Sequence, residues 1–205
     1  MPYKYTNTIT AFEATERSET MEKITTLFER NWGTDYQVRD EFVPGTEWVA
    51  AGEGIATRKL DGTACMVRKG RLYRRYEVKE GRTPPDVFIA AGDPDPETGK
   101  QPGWLPATDK PDDRWLIEAW DRAEGDLPDG TYELVGPKIQ GNKEGYTAHV
   151  LVSHNSPILH LGEDVPRDFE GLRLYLASSG IEGVVWHHED GRMVKIKARD
   201  FGIKR

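Results

Sequence analysis

Lys59-Leu60-Asp61-Gly62, followed by Thr63, is the most chemically suggestive stretch of the chain. It lies between apolar Gly54-Ile55-Ala56 and an apolar run that begins at Ala64. A lysine at a strand end, followed by a tight glycine-containing turn, presents its amine to a cleft beside a sheet. A free lysine has a pKa near 10.4, so only about one in 2,500 is a neutral nucleophile at pH 7. Covalent lysine chemistry therefore needs neighbouring cations or desolvation that favour the free amine. By itself the tetrapeptide says little, since K-x-D-G arises by chance in roughly one chain in twenty of this length. A surface hairpin is its plainer account.

Three further stretches follow in order: Thr131-Tyr132-Glu133-Leu134-Val135-Gly136, Glu182-Gly183-Val184-Val185, and Lys195-Ile196-Lys197. Each sits on a predicted strand, and the last two form one hairpin. In Lys195-Ile196-Lys197 the two lysines face the same side, because strand side chains alternate with period two. Two ammonium groups on one face repel each other unless they are solvated or share an anion, of which a phosphate is the functional case.

The elements that must carry these residues are readable from periodicity and turn chemistry. Met21, Ile24, Leu27 and Phe28 recur at three- and four-residue spacing and predict a helix over Ser18–Trp32. Ala64–Val67 and Leu72–Val78 read as strands joined by a hairpin turn at Arg68-Lys69-Gly70-Arg71. Thr83–Asp113, rich in Pro, Gly and Asp, reads as a long loop. A short helix is predicted over Asp113–Ala123, a strand over Thr131–Val135, an apolar run over Ala148–Val152, and a helix over Phe169–Ser178 that ends before Gly180. Ile181–His187 and Met193–Ala198 read as strands joined at Asp190-Gly191. The fold class is α+β with mostly antiparallel, hairpin-connected strands.

Composition sets the outer limits. A chain of 205 residues suits one core, and 20 aromatic residues argue against disorder. No run approaches the length of a membrane-spanning helix, and the N-terminus shows no apolar signal segment. The expectation is a soluble, cytoplasmic protein without a membrane partner. Cys65 is the only cysteine and has no intramolecular disulfide partner; it reads as a small core residue. Net charge is −7, yet nine Lys or Arg stand against Asp61, Glu77 and Glu80 between Arg58 and Arg82. Six stand against Asp200 alone between Arg192 and Arg205. These segments are either solvated surface or a basic face on an acidic body. His187 and His188 point to opposite strand faces and cannot share a metal without distortion; His149 and His154 flank an apolar strand and suit structural or substrate-contact roles.

Taken together, the four ordered motifs resemble those of the covalent nucleotidyltransferases, which include polynucleotide ligases and capping guanylyltransferases. The wider wording is similar to a family of small 5′-to-3′ RNA ligases with bacterial and eukaryotic members. It includes Thr57–Thr63, Tyr132–Asn142 with Gly136-Pro137-Lys138-Ile139-Gln140-Gly141-Asn142, Ile181–His188, and Asp190–Lys197, within a resemblance spanning about residues 45 to 203. The resemblance implies a nucleotidyltransferase (ATP-grasp-like) domain with antiparallel sheets around a nucleotide cleft. Residues 1–205 would form this single domain, with 1–44 as an N-terminal extension packed on it.

It also implies site roles. Lys59 would form a lysyl–AMP phosphoramidate from ATP, with Lys195 and Lys197 supplying positive charge to the amine and to the α-phosphate. Glu133 would hold the ribose hydroxyls, its alternative being a strand carboxylate facing water. Glu182, together with Asp61, would bind Mg2+ or Mn2+. Arg58, Gly62 and Arg75 belong to the expected nucleotide site, and Arg74 and Lys79 to an RNA surface whose binding is salt-sensitive. Trp186 either stacks on the base or packs in the core.

The implied activity is ATP-dependent joining of RNA 5′-phosphate and 3′-hydroxyl ends, in RNA repair, by a protein expected to be monomeric. A capping-type guanylyltransferase or a DNA ligase is a second reading. Both usually carry an OB domain after the K-x-K motif, whereas eight residues follow Lys197 here, so no C-terminal OB domain is expected. A non-catalytic nucleotide- or RNA-binding module of the same fold is the third.

Overall fold

Hairpin turns and short alternating strands dominate the computed structural model, which describes residues 23–205. In chain order the strands are β1 (Thr25–Thr26), β2 (Phe28–Arg30), β3 (Val38–Phe42), β4 (Ile55–Lys59), β5 (Thr63–Arg68), β6 (Arg71–Val78), β7 (Ile89–Ala90) and β8 (Gln101–Pro106). Helix α1 (Arg114–Arg122), β9 (Gly130–Val135), β10 (Val150–Ser153), helix α2 (Phe169–Ser179), β11 (Gly183–His187) and β12 (Met193–Lys197) follow. The fold is therefore mixed α+β with few helices; β4–β11, β11–β12, β2–β3, β5–β6, β6–β8 and β7–β8 pair antiparallel, and β1 pairs with β12 in parallel.

The described chain divides into a discontinuous unit, Lys23–Thr63 with Glu133–Arg205, and a continuous unit, Ala64–Tyr132. In the discontinuous unit β1, β12, β11 and β4 form a sheet in that order. One face supplies Ala56, Val184, Trp186, Val194 and Ile196 to a buried cluster with Leu27, Phe28, Leu172 and Leu176. Leu172 and Leu176, four residues apart on α2, share one helix face, and each fully buried leucine contributes about 1.5–3 kcal/mol. That helix starts where the Asp168 carboxylate accepts the Gly171 amide at 2.8 Å and stops at left-handed Gly180, as its sequence signals predict. A smaller cluster of Leu60, Val135 and Leu159 anchors the segment after Lys59.

The continuous unit orders its strands β5-β6-β8-β7. Lys69 and Gly70, both at positive φ, make the predicted β5–β6 turn. Met66, Tyr73, Ala91 and Trp104 form its core, and Cys65 is fully buried as expected.

Two expectations are corrected. The helix over Ser18–Trp32 is absent among the described residues: Thr25–Thr26 and Phe28–Arg30 are strands, while 18–22 lie outside the described residues. Leu27 donates its amide to Lys195 O at 2.8 Å, so pairing with β12 overrides the helical spacing. The Thr83–Asp113 loop contains β7 and β8, and β8 pairs with β6 from Gln101↔Val78 to Pro106↔Tyr73. Pro102 and Pro106 disguise this strand, since proline cannot donate to a ladder. β8 tolerates them because its outer neighbour, β7, is two residues long.

Candidate active site

Three strands set the lysines in rows. On the discontinuous unit Lys59 of β4 lies opposite Gly183 of β11, which lies opposite Lys197 of β12. Thr57, Val185 and Lys195 make the next row on the same face, two residues along each strand. The motifs K-x-D-G, E-G-hydrophobic and K-x-K therefore meet on one sheet face. Gly183 permits this approach: a Cβ there would lie 2.2 Å from Ile196 O and 3.0 Å from Lys197 Cα.

The Lys59 ammonium is 2.6 Å from Glu182 Oε2 and donates a longer bond to Leu60 O at 3.4 Å. Burial pushes the Lys195 amine down to about 8, helped by the positive charges of Lys197, Lys59 and Lys23 and opposed by Asp200. Lys197 is lowered too, chiefly by burial, with Asp200 and Glu182 acting against the shift. Its backbone amide is held by Asp200 Oδ2 at 2.9 Å, and Asp200 pairs with Arg30 at 2.6 Å. The face thus holds clustered, partly desolvated positive charge, the environment that lysine nucleophiles and phosphate ligands require.

The turn after Lys59 brings in the rest. Gly62 packs so closely that a Cβ would fall 2.3 Å from Leu134 O and 2.6 Å from Glu133 Cγ, which seats Glu133 beside the K-x-D-G turn. Glu133 is buried and its Oε2 lies 2.9 Å from His154 Nε2, so it does not face open water. Arg58 pairs with Glu144, and the Asp61 carboxylate meets Lys143 at 3.3 Å and Arg205 at 3.4 Å. Glu144, Lys143 and Arg205 are the contacts that sequence reasoning missed, whereas His154 was expected in a structural or substrate-contact role. Glu144 stands two residues past the resembling Tyr132–Asn142 stretch, and in the sequence Arg205 reads only as part of a basic run.

Trp186 is fully buried on the opposite sheet face, in the core cluster, so it packs and offers no ring face to a base. Strand alternation places it there, one residue out of phase with Val185 and the lysine rows. Arg74, Arg75 and Lys79 belong to the continuous unit. Arg75 stands 4.9 Å from the Trp104 ring centroid, and Arg74 lies 5.4 Å from that of Tyr76 and 3.4 Å from Asp113. Lys79 is exposed. His187 shares a 3.0 Å contact with the Thr57 hydroxyl, and burial pushes its pKa down, with the positive charge of His154 and His160 adding to the shift. His188 sits between Glu53 at 2.7 Å and Asp190 at 2.9 Å. His149, buried, accepts the Lys138 amide at 3.2 Å.

Among the described residues no three His, Cys, Asp or Glu side chains group to hold a metal ion. Glu182 still fits a hydrated divalent cation, because magnesium takes oxygen ligands and keeps several waters. A metal there would take the carboxylate that Lys59 now engages. Asp61 fits less well, having two cationic partners of its own. Among the described residues no helix is long and apolar enough to cross a membrane.

No protein-family model matches the chain. It is 28% identical to RNA ligase 1 of Pongo abelii over an alignment of 224 residues, and 27% identical to RNA ligase 1 of Rattus norvegicus over the same length. It is 24% identical to RNA ligase 1 of Danio rerio over 221 residues. Each alignment covers 73% of this chain and 67% of the relative. The similarity supports an RNA ligase family.

Proposed function

We propose that the chain is an ATP-dependent RNA ligase that works through a lysyl–AMP intermediate at Lys59. The observation that carries the reading is the lysine row: Lys59 and Lys197 flank Gly183, with Lys195 on the same face and Glu182 against the Lys59 amine. The similarity to proteins named RNA ligase 1 gives the substrate class.

In this reading the Lys59 amine, once it has released its proton, attacks the α-phosphorus of ATP. A nitrogen–phosphorus bond forms and the bond to pyrophosphate breaks. Lys195 and Lys197 bear positive charge towards the phosphate oxygens where negative charge develops. Glu133 accepts from the ribose hydroxyls, for which a carboxylate has two acceptor oxygens, and His154 fixes its orientation. A divalent cation held by Glu182, magnesium or manganese, would neutralise phosphate charge. The AMP group then passes to an RNA 5′-phosphate, and attack by a 3′-hydroxyl releases AMP and seals the strand. Arg75 is proposed to reach the nucleotide, and Arg74 and Lys79 the RNA phosphates. RNA repair in the cytoplasm, by a monomer, is the setting proposed for this chemistry.

The test is direct. Purified protein, stripped of bound AMP, is incubated with magnesium and α-labelled ATP or GTP and run on a denaturing gel. A labelled band at 23.2 kDa with ATP, lost in Lys59→Ala, is the expected result. A band with GTP alone would move the assignment to capping chemistry. No band with either nucleotide would remove Lys59 as nucleophile.

A further inference from the structure

Five consecutive residues, Gln140–Glu144, send three side chains to the turn that carries Lys59. Gln140 Nε2 donates to Gly62 O at 3.4 Å. Lys143 Nζ lies 3.3 Å from Asp61 Oδ2. The Glu144 side chain, 2% exposed, does most: Oε1 accepts the Asp61 amide at 3.1 Å and Arg205 Nη2 at 3.0 Å, and Oε2 pairs with Arg58. Lys59 and Leu60 are thereby gripped from both sides, through the guanidinium of the residue before and the amide of the residue after.

The backbone here is strained. Gln140 (φ 46°), Gly141 (φ 71°) and Asn142 (φ 54°) are successive left-handed residues, a conformation that L residues avoid in runs. Such strain persists only where surrounding contacts over-determine it, and it clusters at functional sites. Here those contacts are the ones to Asp61, Gly62 and Arg58. Arg205 extends the grip: besides Glu144 and Asp61 it donates from Nε to Gly180 O at 2.8 Å. Gly180 stands two residues before Glu182, the carboxylate against Lys59. One buried carboxylate and one guanidinium therefore tie both members of the Lys59–Glu182 pair to a common frame.

We infer that Glu144 is a positioning residue, which fixes the backbone on either side of Lys59 and so aims its amine. Burying a carboxylate is costly unless it is fully paired, and Glu144 spends its pairing on this turn. The inference rests on the reading of Lys59 as the nucleophile. Its effect belongs in the bond-forming step more than in nucleotide binding, because a misplacement of about 1 Å costs on the order of a hundredfold in rate.

The experiment compares wild type, Glu144→Gln, Glu144→Ala and Gln140→Ala. Single-turnover formation of labelled protein is measured across ATP concentrations, together with exchange of the Asp61 amide by NMR. Glu144→Ala is expected to lower the saturating rate by roughly tenfold to a hundredfold, with half-saturating ATP within about twofold of wild type. Asp61 amide protection falls with it. Glu144→Gln keeps an oxygen for that amide and recovers part of both. Gln140→Ala shows the same pattern more weakly and serves if Glu144→Ala does not fold. Saturating rate and Asp61 protection unchanged in Glu144→Gln and Gln140→Ala would overturn the inference, as would a rate loss that appears wholly as weaker ATP binding. If wild type takes no label, the nucleophile reading falls. The exchange data still decide whether Glu144 holds the turn.

Discussion

The two units differ in how much charge they bury. Among the described residues, the discontinuous unit buries Glu133, Lys197 and Asp200 and leaves the Glu144 side chain 2% exposed. The continuous unit buries Asp113, which accepts from the Thr108 amide at 2.9 Å and its hydroxyl at 3.0 Å. Lys69, Arg71, Glu77, Lys79, Glu80 and Arg82 are exposed, while Arg68, Arg74 and Arg75 are half-buried. Buried charge is expensive and survives only where it is paired or used; exposed charge costs little. The first unit gathers most of its buried charge beside the candidate site, and the second exposes most of its charge over a small apolar core.

Lys195 is the sharpest point at which to break that contrast. Lys195→Met is expected to lower adenylylation by about 10²–10³-fold, the usual loss for a group that stabilises developing charge. The same change should stabilise the protein at pH 7. The folded-state pKa of Lys195 is about 8 against 10.5 for a free side chain, so between these values the unfolded chain binds the extra proton. Wild-type stability therefore rises with pH through that window, and the penalty for the buried ammonium is greatest below pH 8. Urea denaturation should show a gain for Lys195→Met on the order of 3 kcal/mol at pH 7, shrinking towards pH 10.5. A variant destabilised equally at both pH values would mean that burial of this charge costs nothing.

Gly183 tests the geometry behind the same face. With Ile196 O 2.2 Å from the position of a Cβ, Gly183→Ala must part β11 from β12. The expected loss is about 1–3 kcal/mol in chemical denaturation, the usual cost of overpacking. Adenylylation should fall as well, because Lys59 and Lys197 both register on Gly183. Unaltered stability would show that the row is looser than its register implies.

The sequence was most legible where chemistry and local geometry coincide. K-x-D-G at a strand end, the shared side of Lys195 and Lys197, and the Asp168–Gly180 limits of α2 follow from period-two alternation and capping rules. Contacts built from distant segments were not legible. Glu144 meets Arg58 86 residues away and Arg205 61 residues away, and nothing in local spacing encodes either. The misread helix over 18–32 has the same cause, since a two-residue strand is stabilised by β12 and not by its own sequence. Trp186 shows the converse: its proximity to Glu182 in sequence suggested a nucleotide contact, whereas alternation alone puts it on the core face.

In the continuous unit smaller effects are expected. Arg75→Ala removes a guanidinium 4.9 Å from the centroid of the fully buried Trp104 ring, and burial already lowers the Arg75 pKa. The loss should be about 1 kcal/mol, up to 2 if the pair is well desolvated. Urea denaturation measures it, and a parallel titration of ATP reports whether the same side chain also serves the nucleotide. A stability loss without a change in half-saturating ATP would assign Arg75 to packing and sharpen the division between the units.

Lys79 should matter least to the fold. It is exposed, among the residues Val78–Arg82 that line an open depression of about 340 Å³ with Gln101. Lys79→Gln is expected to shift stability by no more than about 0.5 kcal/mol, as for surface substitutions generally. If this surface meets RNA phosphates, the variant weakens binding uniformly across RNA sequences, and the slope of log affinity against log salt falls by about one. An unchanged slope would take Lys79 off the RNA path and leave its charge as solvation. A fall confined to one RNA sequence would place it against a base edge. In either case the stability of the unit should hold, because an exposed ammonium has no buried partner to abandon.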